Sequence, residues 1–160
     1  MYSFSKNTDN LRTPAGGYEV QFLDFKLYGE ENDQYILAKT LIRDDVDTNP
    51  KEWRGKFHYI KIKQFEYEDP NTYKRYLAFD KIILGGMVNA IPRTNESIDF
   101  GDDVNEVIKY LRGAFAFMKL WYAPSKDGTA TYPRYAFKPT KYTPKSIASS
   151  DDLDDSSLPF

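Results

Sequence analysis

Alternation of apolar and polar side chains with a period of two recurs in five separate segments, and this pattern most narrowly limits what the chain can become. Successive side chains of a strand point to opposite faces, so alternation marks strands with one buried face. Over 18–28 (YEVQFLDFKLY), Tyr18, Val20 and Phe22 keep one phase, and Leu23, Phe25 and Leu27 then take the other. A phase shift within one strand predicts a bulge and a bend. The polar loop 29–33 leads into 34–43 (QYILAKTLIR), and Asp44-Asp-Val-Asp-Thr-Asn-Pro50 ends it. Segment 56–63 (KFHYIKIK) buries Ile60 and Ile62, with His58 on the same face, and leaves Phe57, Tyr59, Lys61 and Lys63 opposite. Segment 114–122 (AFAFMKLWY) sets Ala116, Met118 and Leu120 against Phe115, Phe117, Lys119 and Trp121. Segment 131–138 (TYPRYAFK) sets Tyr135 and Phe137 against Tyr132, Arg134 and Lys138. Pro133 brings no N–H to a ladder, which predicts an edge or bulged strand.

Helical signals lie between the third and fourth of these segments. Asp69-Pro70 reads as an N-cap with Pro at the first helical position. It predicts a helix carrying Tyr73, Tyr76, Leu77, Ile83 and Leu84 on one face and stopping at Gly85-Gly86. A second helix has Asp102 and Asp103 for its cap, Val104, Val107, Ile108 and Leu111 at i, i+3, i+4 and i+7, and Gly113 at its end. The fold class is mainly β with some helix. Strand count and insertion point favour a five-stranded OB-fold barrel with a helical insertion between strands 3 and 4; periodicity alone also admits an open α+β sheet. The expected layout is a flexible arm over 1–17, the barrel over 18–138, a linker over 139–150 and an acidic tail over 151–160.

Composition removes several function classes. There is no cysteine and one histidine, so thiolate metal sites, cysteine nucleophiles and histidine-rich catalysis are not expected. His58 shares a face with Ile60 and reads as a packed neutral imidazole rather than a base. The carboxylates of Asp44-Asp45-x-Asp47 and Asp102-Asp103 read as a turn and a helix cap rather than as metal ligands. Gly85-Gly86 lacks the spacing of a phosphate loop. No apolar run is long enough to span a membrane and no leader segment is evident, so the reading is a soluble protein with no membrane partner.

What remains is an excess of rings and cations on one face. The chain holds 13 Tyr, 11 Phe and 2 Trp. Phe57-x-Tyr59-x-Lys61-x-Lys63, Phe115-x-Phe117-x-Lys119-x-Trp121 and Tyr132-x-Arg134 repeat one alternation; Tyr35, Lys39 and Arg43 share a face on the second strand, and Lys138 follows the last. Unpaired bases present flat faces and phosphates, so a groove for them needs rings to stack on and cations alongside. The bland alternative packs each ring under a helix or in a homo-oligomer interface. Stacking positions are therefore Tyr35, Phe57, Tyr59, Phe115, Phe117, Trp121 and Tyr132. Phosphate positions are Lys39, Arg43, Lys61, Lys63, Lys119, Arg134 and Lys138.

The tail carries a second signal. Asp151, Asp152, Asp154 and Asp155 precede Leu158, Pro159 and Phe160, and without those four acids the chain has 22 basic and 20 acidic residues. Acids speed encounter with a basic surface, and a terminal Phe carboxylate suits a pocket with a cation beside it. The same acids can compete with nucleic acid for the chain's own basic groove.

The tail is similar to those of bacterial and phage single-strand binders, in which an Asp-rich run precedes an apolar pair and Phe. The body resembles a phage family formerly labelled a domain of unknown function and since linked to OB-fold single-stranded DNA binding. The landmarks are Gly17-Tyr18-Glu19-Val20, Leu41-Ile42-Arg43-Asp44-Asp45, Phe57-His58-Tyr59-Ile60, Ile91-Pro92, Leu111-Arg112-Gly113 and Lys138-Pro139. The resemblance implies a non-catalytic protein without cofactor or metal. Such a protein coats single-stranded DNA in phage replication and recombination, in the cytoplasm of a bacterial host. Its tail would recruit replication or recombination proteins through Leu158, Pro159 and Phe160. RNA remains admissible, because stacking does not read the sugar hydroxyl. The rival expectation is a protein-interaction adaptor: a barrel domain with a docking tail.

Overall fold

The bulge expected near Leu23 divides the first strand between two partners. β1 (Gly16–Glu30) pairs through Gly16–Gln21 with β5 (Phe115–Pro124) and through Val20–Glu30 with β2 (Asp33–Ile42). The β1–β2 register slips between Phe22 and Asp24, so Leu23 has no partner there. Main-chain bonds from Phe22 N to Ala114 O (2.9 Å) and Gly113 N to Phe22 O (2.6 Å) close the edge that the slip opens. The computed structural model describes residues 12–92, 98–142 and 144.

All pairings are antiparallel. β3 (Phe57–Glu68) lies beside β2, β4 (Arg75–Phe79) pairs with the far half of β3, and β6 (Thr131–Lys138) pairs with β5. The strand order is β4-β3-β2-β1-β5-β6. Among the described residues the fold is thus mainly β, with six strands where five were expected. The sheet curls until β3 and β6 come within side-chain reach, and His58 Nε2 lies 2.8 Å from the Tyr135 hydroxyl.

The sixth strand replaces part of an expected helix. Asp69-Pro70 starts a turn, not a helix: Asp69 Oδ1 accepts from Asn71 N (2.8 Å) and Thr72 N (3.3 Å). Tyr73 takes a left-handed φ of 60°. The bonds Asp69 N to Lys74 O and Tyr73 N to Asp69 O then close a hairpin. An aspartate side chain caps a tight turn as readily as a helix, and tertiary pairing with β3 decides between them. The helix begins later. α1 (Lys81–Asn89) is capped by Asp80, which accepts from Ile82 N and Ile83 N, and Gly85-Gly86 lie inside it instead of ending it. A β-carbon at Gly86 would stand 3.3 Å from the Phe137 ring, so this glycine lets α1 pack closely on β6.

α2 (Val104–Leu111) follows expectation. Asp103 caps it through Asn105 N, and Gly113 leaves it with φ 87°. Ile108 and Leu111 of α2 and Leu84, Met87 and Val88 of α1 cover one face of the sheet. That face supplies Val20, Phe22, Ile36, Ile60, Ile62, Met118 and Leu120, all essentially without exposure. Burial of this set, at about 25 cal/mol per Å² of apolar surface, is the main force that holds the sheet curled.

Candidate nucleic-acid interface

The outer face of β2 and β3 follows from register. Ile36, Ala38 and Thr40 face Ile62, Ile60 and His58 on the inside, which forces Tyr35, Leu37, Lys39 and Leu41 opposite Lys63, Lys61, Tyr59 and Phe57 on the outside. Phe57 is 44% exposed and Tyr59 52%. Lys39 Nζ stands 4.3 Å from the Phe57 ring centroid, and Lys61 Nζ 4.4 Å from that of Tyr35. These contacts hold ammonium groups next to rings while leaving them hydrated. Tyr35 also stacks on Tyr28 at 5.5 Å between ring centroids, so its ring is already engaged by two neighbours.

β5 and β6 give a second group. Trp121 is 40% exposed and sits opposite Arg134 in the ladder; Lys119 Nζ lies 5.9 Å from its ring. Tyr132, Arg134 and Lys138 are exposed along β6.

The two groups meet at the seam between β3 and β6. An open cleft of about 350 Å³ lies there, with Phe57 and Tyr59 on one side and Tyr122, Thr131 and Tyr135 on the other. His58 forms its floor. Nδ1 is 2.8 Å from Thr13 Oγ1 and Nε2 2.8 Å from the Tyr135 hydroxyl. Burial without a carboxylate partner pushes the His58 pKa down to about 4, so the imidazole is neutral near pH 7. Burial likewise raises the Tyr135 pKa. Arg12 lies flat on Tyr122, its guanidinium carbon 3.7 Å from the ring centroid, and donates to Thr131 Oγ1 at 3.0 Å. Of the expected arm, residues 1–11 lie outside the described residues; Thr13 is buried, and Gly16 and Gly17 belong to β1.

Three further predicted positions lie elsewhere: Arg43 is buried, and Phe115 and Phe117 are half-buried. Arg43 is only 2% exposed. Its Nε and Nη2 each donate to Asp45 at 2.9 Å, its Nη1 donates to the Tyr142 carbonyl at 2.7 Å, and it covers Phe115 at 4.8 Å. Thr140 donates to the buried Glu19 at 2.5 Å. Asn49 ties both strands below: its side chain accepts from Glu19 N (2.8 Å) and donates to Glu19 O and Arg43 O (2.9 Å each). Phe117 lies on Gly17, where a β-carbon would come within 2.4 Å of the ring. The segment expected as a free linker therefore begins as a strap over this junction, and Pro144 is buried. Asp151, Asp152, Asp154, Asp155, Leu158, Pro159 and Phe160 lie outside the described residues.

Four residues absent from the expected set join the open face. Phe65 and Tyr67 continue the β3 outer row, Tyr76 pairs with Tyr67 across β4, and Lys81 Nζ stands 4.9 and 4.7 Å from those two tyrosine rings. The signal is in the sequence: Gln64-Phe65-Glu66-Tyr67 keeps the phase of Phe57 and Tyr59.

Two of the acidic positions have structural partners: Asp103 caps α2, and Asp45 holds Arg43. Among the described residues no cluster of three or more His, Cys, Asp or Glu could hold a metal ion, and no helix is long and apolar enough to cross a membrane. No protein-family model matches the chain, and no curated protein matches it.

Proposed function

We propose that the chain binds single-stranded DNA without reading its sequence, on an OB-type barrel, and does no catalysis. The carrying observation is the outer face of β2 and β3, where the exposed rings and lysines of β3 stand in register with the half-buried Tyr35 and Lys39 of β2. Two features support the barrel. Without β4, the strands run β3-β2-β1-β5-β6, and the two ends of that run are linked by His58 and Tyr135. A partly open five-stranded barrel that binds oligonucleotides across its strand 2–3 face has this form.

In this reading Phe57, Tyr59, Trp121 and Tyr132 stack with bases. Lys39, Lys61, Lys63, Lys119, Arg134 and Lys138 follow the phosphates. Arg43, Phe115 and Phe117 move from the contact set to the framework: Arg43 is held by Asp45 and the strap, Phe115 lies beneath Arg43, and Phe117 packs on Gly17. The acidic tail would compete for the same cations and, with Leu158, Pro159 and Phe160, recruit replication or recombination proteins in a phage-infected bacterial cell.

Fluorescence anisotropy with labelled oligo(dT), oligo(rU) and duplex at two salt concentrations tests the proposal. The expected result is binding to single strands well above duplex, with a log–log salt slope of about −0.7 per phosphate neutralised. Equal binding to duplex, or none to oligo(dT) at low salt, would reject it in favour of a protein-binding adaptor.

A further inference from the structure

The cleft at the β3–β6 seam carries chemistry that the outer face does not use. We propose, building on the reading above, that it seats a single nucleobase of the bound strand, which enters edge-first and accepts a hydrogen bond from the cleft floor.

The floor holds one proton more than its own bonds consume. Thr13, His58 and Tyr135 are joined by two contacts, each of 2.8 Å. A neutral imidazole donates from one nitrogen and accepts at the other. If Nδ1–H donates to Thr13, the Tyr135 hydroxyl donates to Nε2 and the Thr13 hydroxyl proton is left over. In the other tautomer Thr13 donates to Nδ1, Nε2–H donates to Tyr135, and the Tyr135 proton is left over. Either way three protons serve two bonds. The Thr13 carbonyl is already taken by the Tyr122 hydroxyl at 2.6 Å, and among the described residues no other acceptor receives the surplus proton. The low pKa of His58 keeps this count valid near pH 7, because no fourth proton arrives.

The cleft therefore offers a donor at its floor to an acceptor on its occupant. Its lining is rich in flat groups: Arg12 lies over the Tyr122 ring, and Phe57 and Tyr59 border the cleft from β3. A volume of about 350 Å³ is at the small end of ligand pockets and suits one planar heterocycle. A base edge supplies ring nitrogens or carbonyl oxygens as acceptors. Phe57 and Tyr59 also begin the outer row of β3, so a strand following that row arrives at the cleft without a gap.

His58 is the sole histidine, so its imidazole resonances in the full chain are a direct probe of the floor. Saturating oligo(dT), whose thymines carry two carbonyl oxygens, is expected to shift both ring nitrogen signals of His58. Thr131→Phe fills the cleft from its exposed rim; it takes away the hydroxyl that accepts from Arg12 but leaves that cation on the Tyr122 ring. It should abolish the His58 response and weaken oligo(dT) binding by roughly 5- to 150-fold, the stacking of one base, with the salt slope unchanged. If the Trp121 indole signal moves on binding while His58 stays still, the base seat is wrong and the proposed function stands. If neither moves and no complex forms at low salt, both fail. Should Thr131→Phe not fold, the His58 signals of the unaltered chain decide alone.

Discussion

At the β1–β5 junction Arg43 and Glu19 are bonded to the chain that follows β6, with Phe115 beneath Arg43 and Phe117 packed on Gly17, while on β3 the rings and cations of the same outer face are open to solvent. Both regions come from the same alternation on the same sheet. They differ in what stands within hydrogen-bond reach. Arg43 meets a carboxylate and a carbonyl, Glu19 meets the Thr140 hydroxyl, and Asn49 stitches the two strands together. Lys61 lies over a tyrosine ring, and both Lys61 and Lys63 stay exposed. A buried cation persists only where its donors are satisfied, so the polar partners, rather than the strand pattern, decide which half of the face closes.

The largest test of that contrast is Asn49→Ala. It removes three hydrogen bonds in a buried setting and leaves Glu19 N and Arg43 O short of a partner. The expected loss is about 2–6 kcal/mol in urea unfolding, at 1–3 kcal/mol for each of the two buried groups left unpaired. Tyr59→Ala on the open half should cost less than about 1 kcal/mol. Similar losses at the two sites would mean that the open face is also structural.

The seam and the junction should also part company in acid. His58 has a folded pKa of about 4 against 6.5 unfolded. Between those values the unfolded chain binds more protons, so stability falls as pH drops from about 6.5 towards 4, and His58 accounts for at most roughly 3 kcal/mol of the loss. Above pH 6.5 the contribution is constant. His58→Gln should flatten the slope over that window at the cost of a lower plateau. An unaltered slope in the variant would place the acid sensitivity elsewhere.

Much of this division could be read from the chain, and what could not has physical causes. The bulge at Leu23, the Asp103 cap and the inward face of every core strand follow from local periodicity and capping, which need no distant partner. The β4 hairpin did not, because Asp69-Pro70 suits a turn and a helix start equally and only pairing with β3 chooses. Exposure of individual rings was legible in part. Alternation places Phe57 and Phe115 alike on the outside, and each has a cation over its ring, yet the cation on Phe115 is the buried Arg43 while Phe57 stays open. The strap that makes the difference arrives from Thr140, 121 residues from Glu19.

A smaller effect sharpens the open half. Trp121→Ala should weaken oligo(dT) binding by about 1–3 kcal/mol, one base's stacking, while the unfolding midpoint hardly moves. Lys119→Ala, which leaves the ring and removes its cation, should instead lower the salt slope by about 0.7. If the two variants change slope and affinity together, the ring and the lysine act as one unit rather than as separate stacking and phosphate contacts.

The smallest effect probes the closed half from within. At Gly17 an added β-carbon would stand 2.4 Å from Phe117 Cζ, so Gly17→Ala must swing that ring away. Overpacking costs about 1 kcal/mol at its mild end, and relief of glycine's chain entropy returns part of it. A net stability change below about 1 kcal/mol is expected. Oligo(dT) affinity should not change, because the Phe117 ring is spent on packing against Gly17 and offers no face to a base. If affinity instead drops severalfold at unchanged stability, Phe117 belongs to the stacking row and the boundary between the two halves runs along β5 instead of β1.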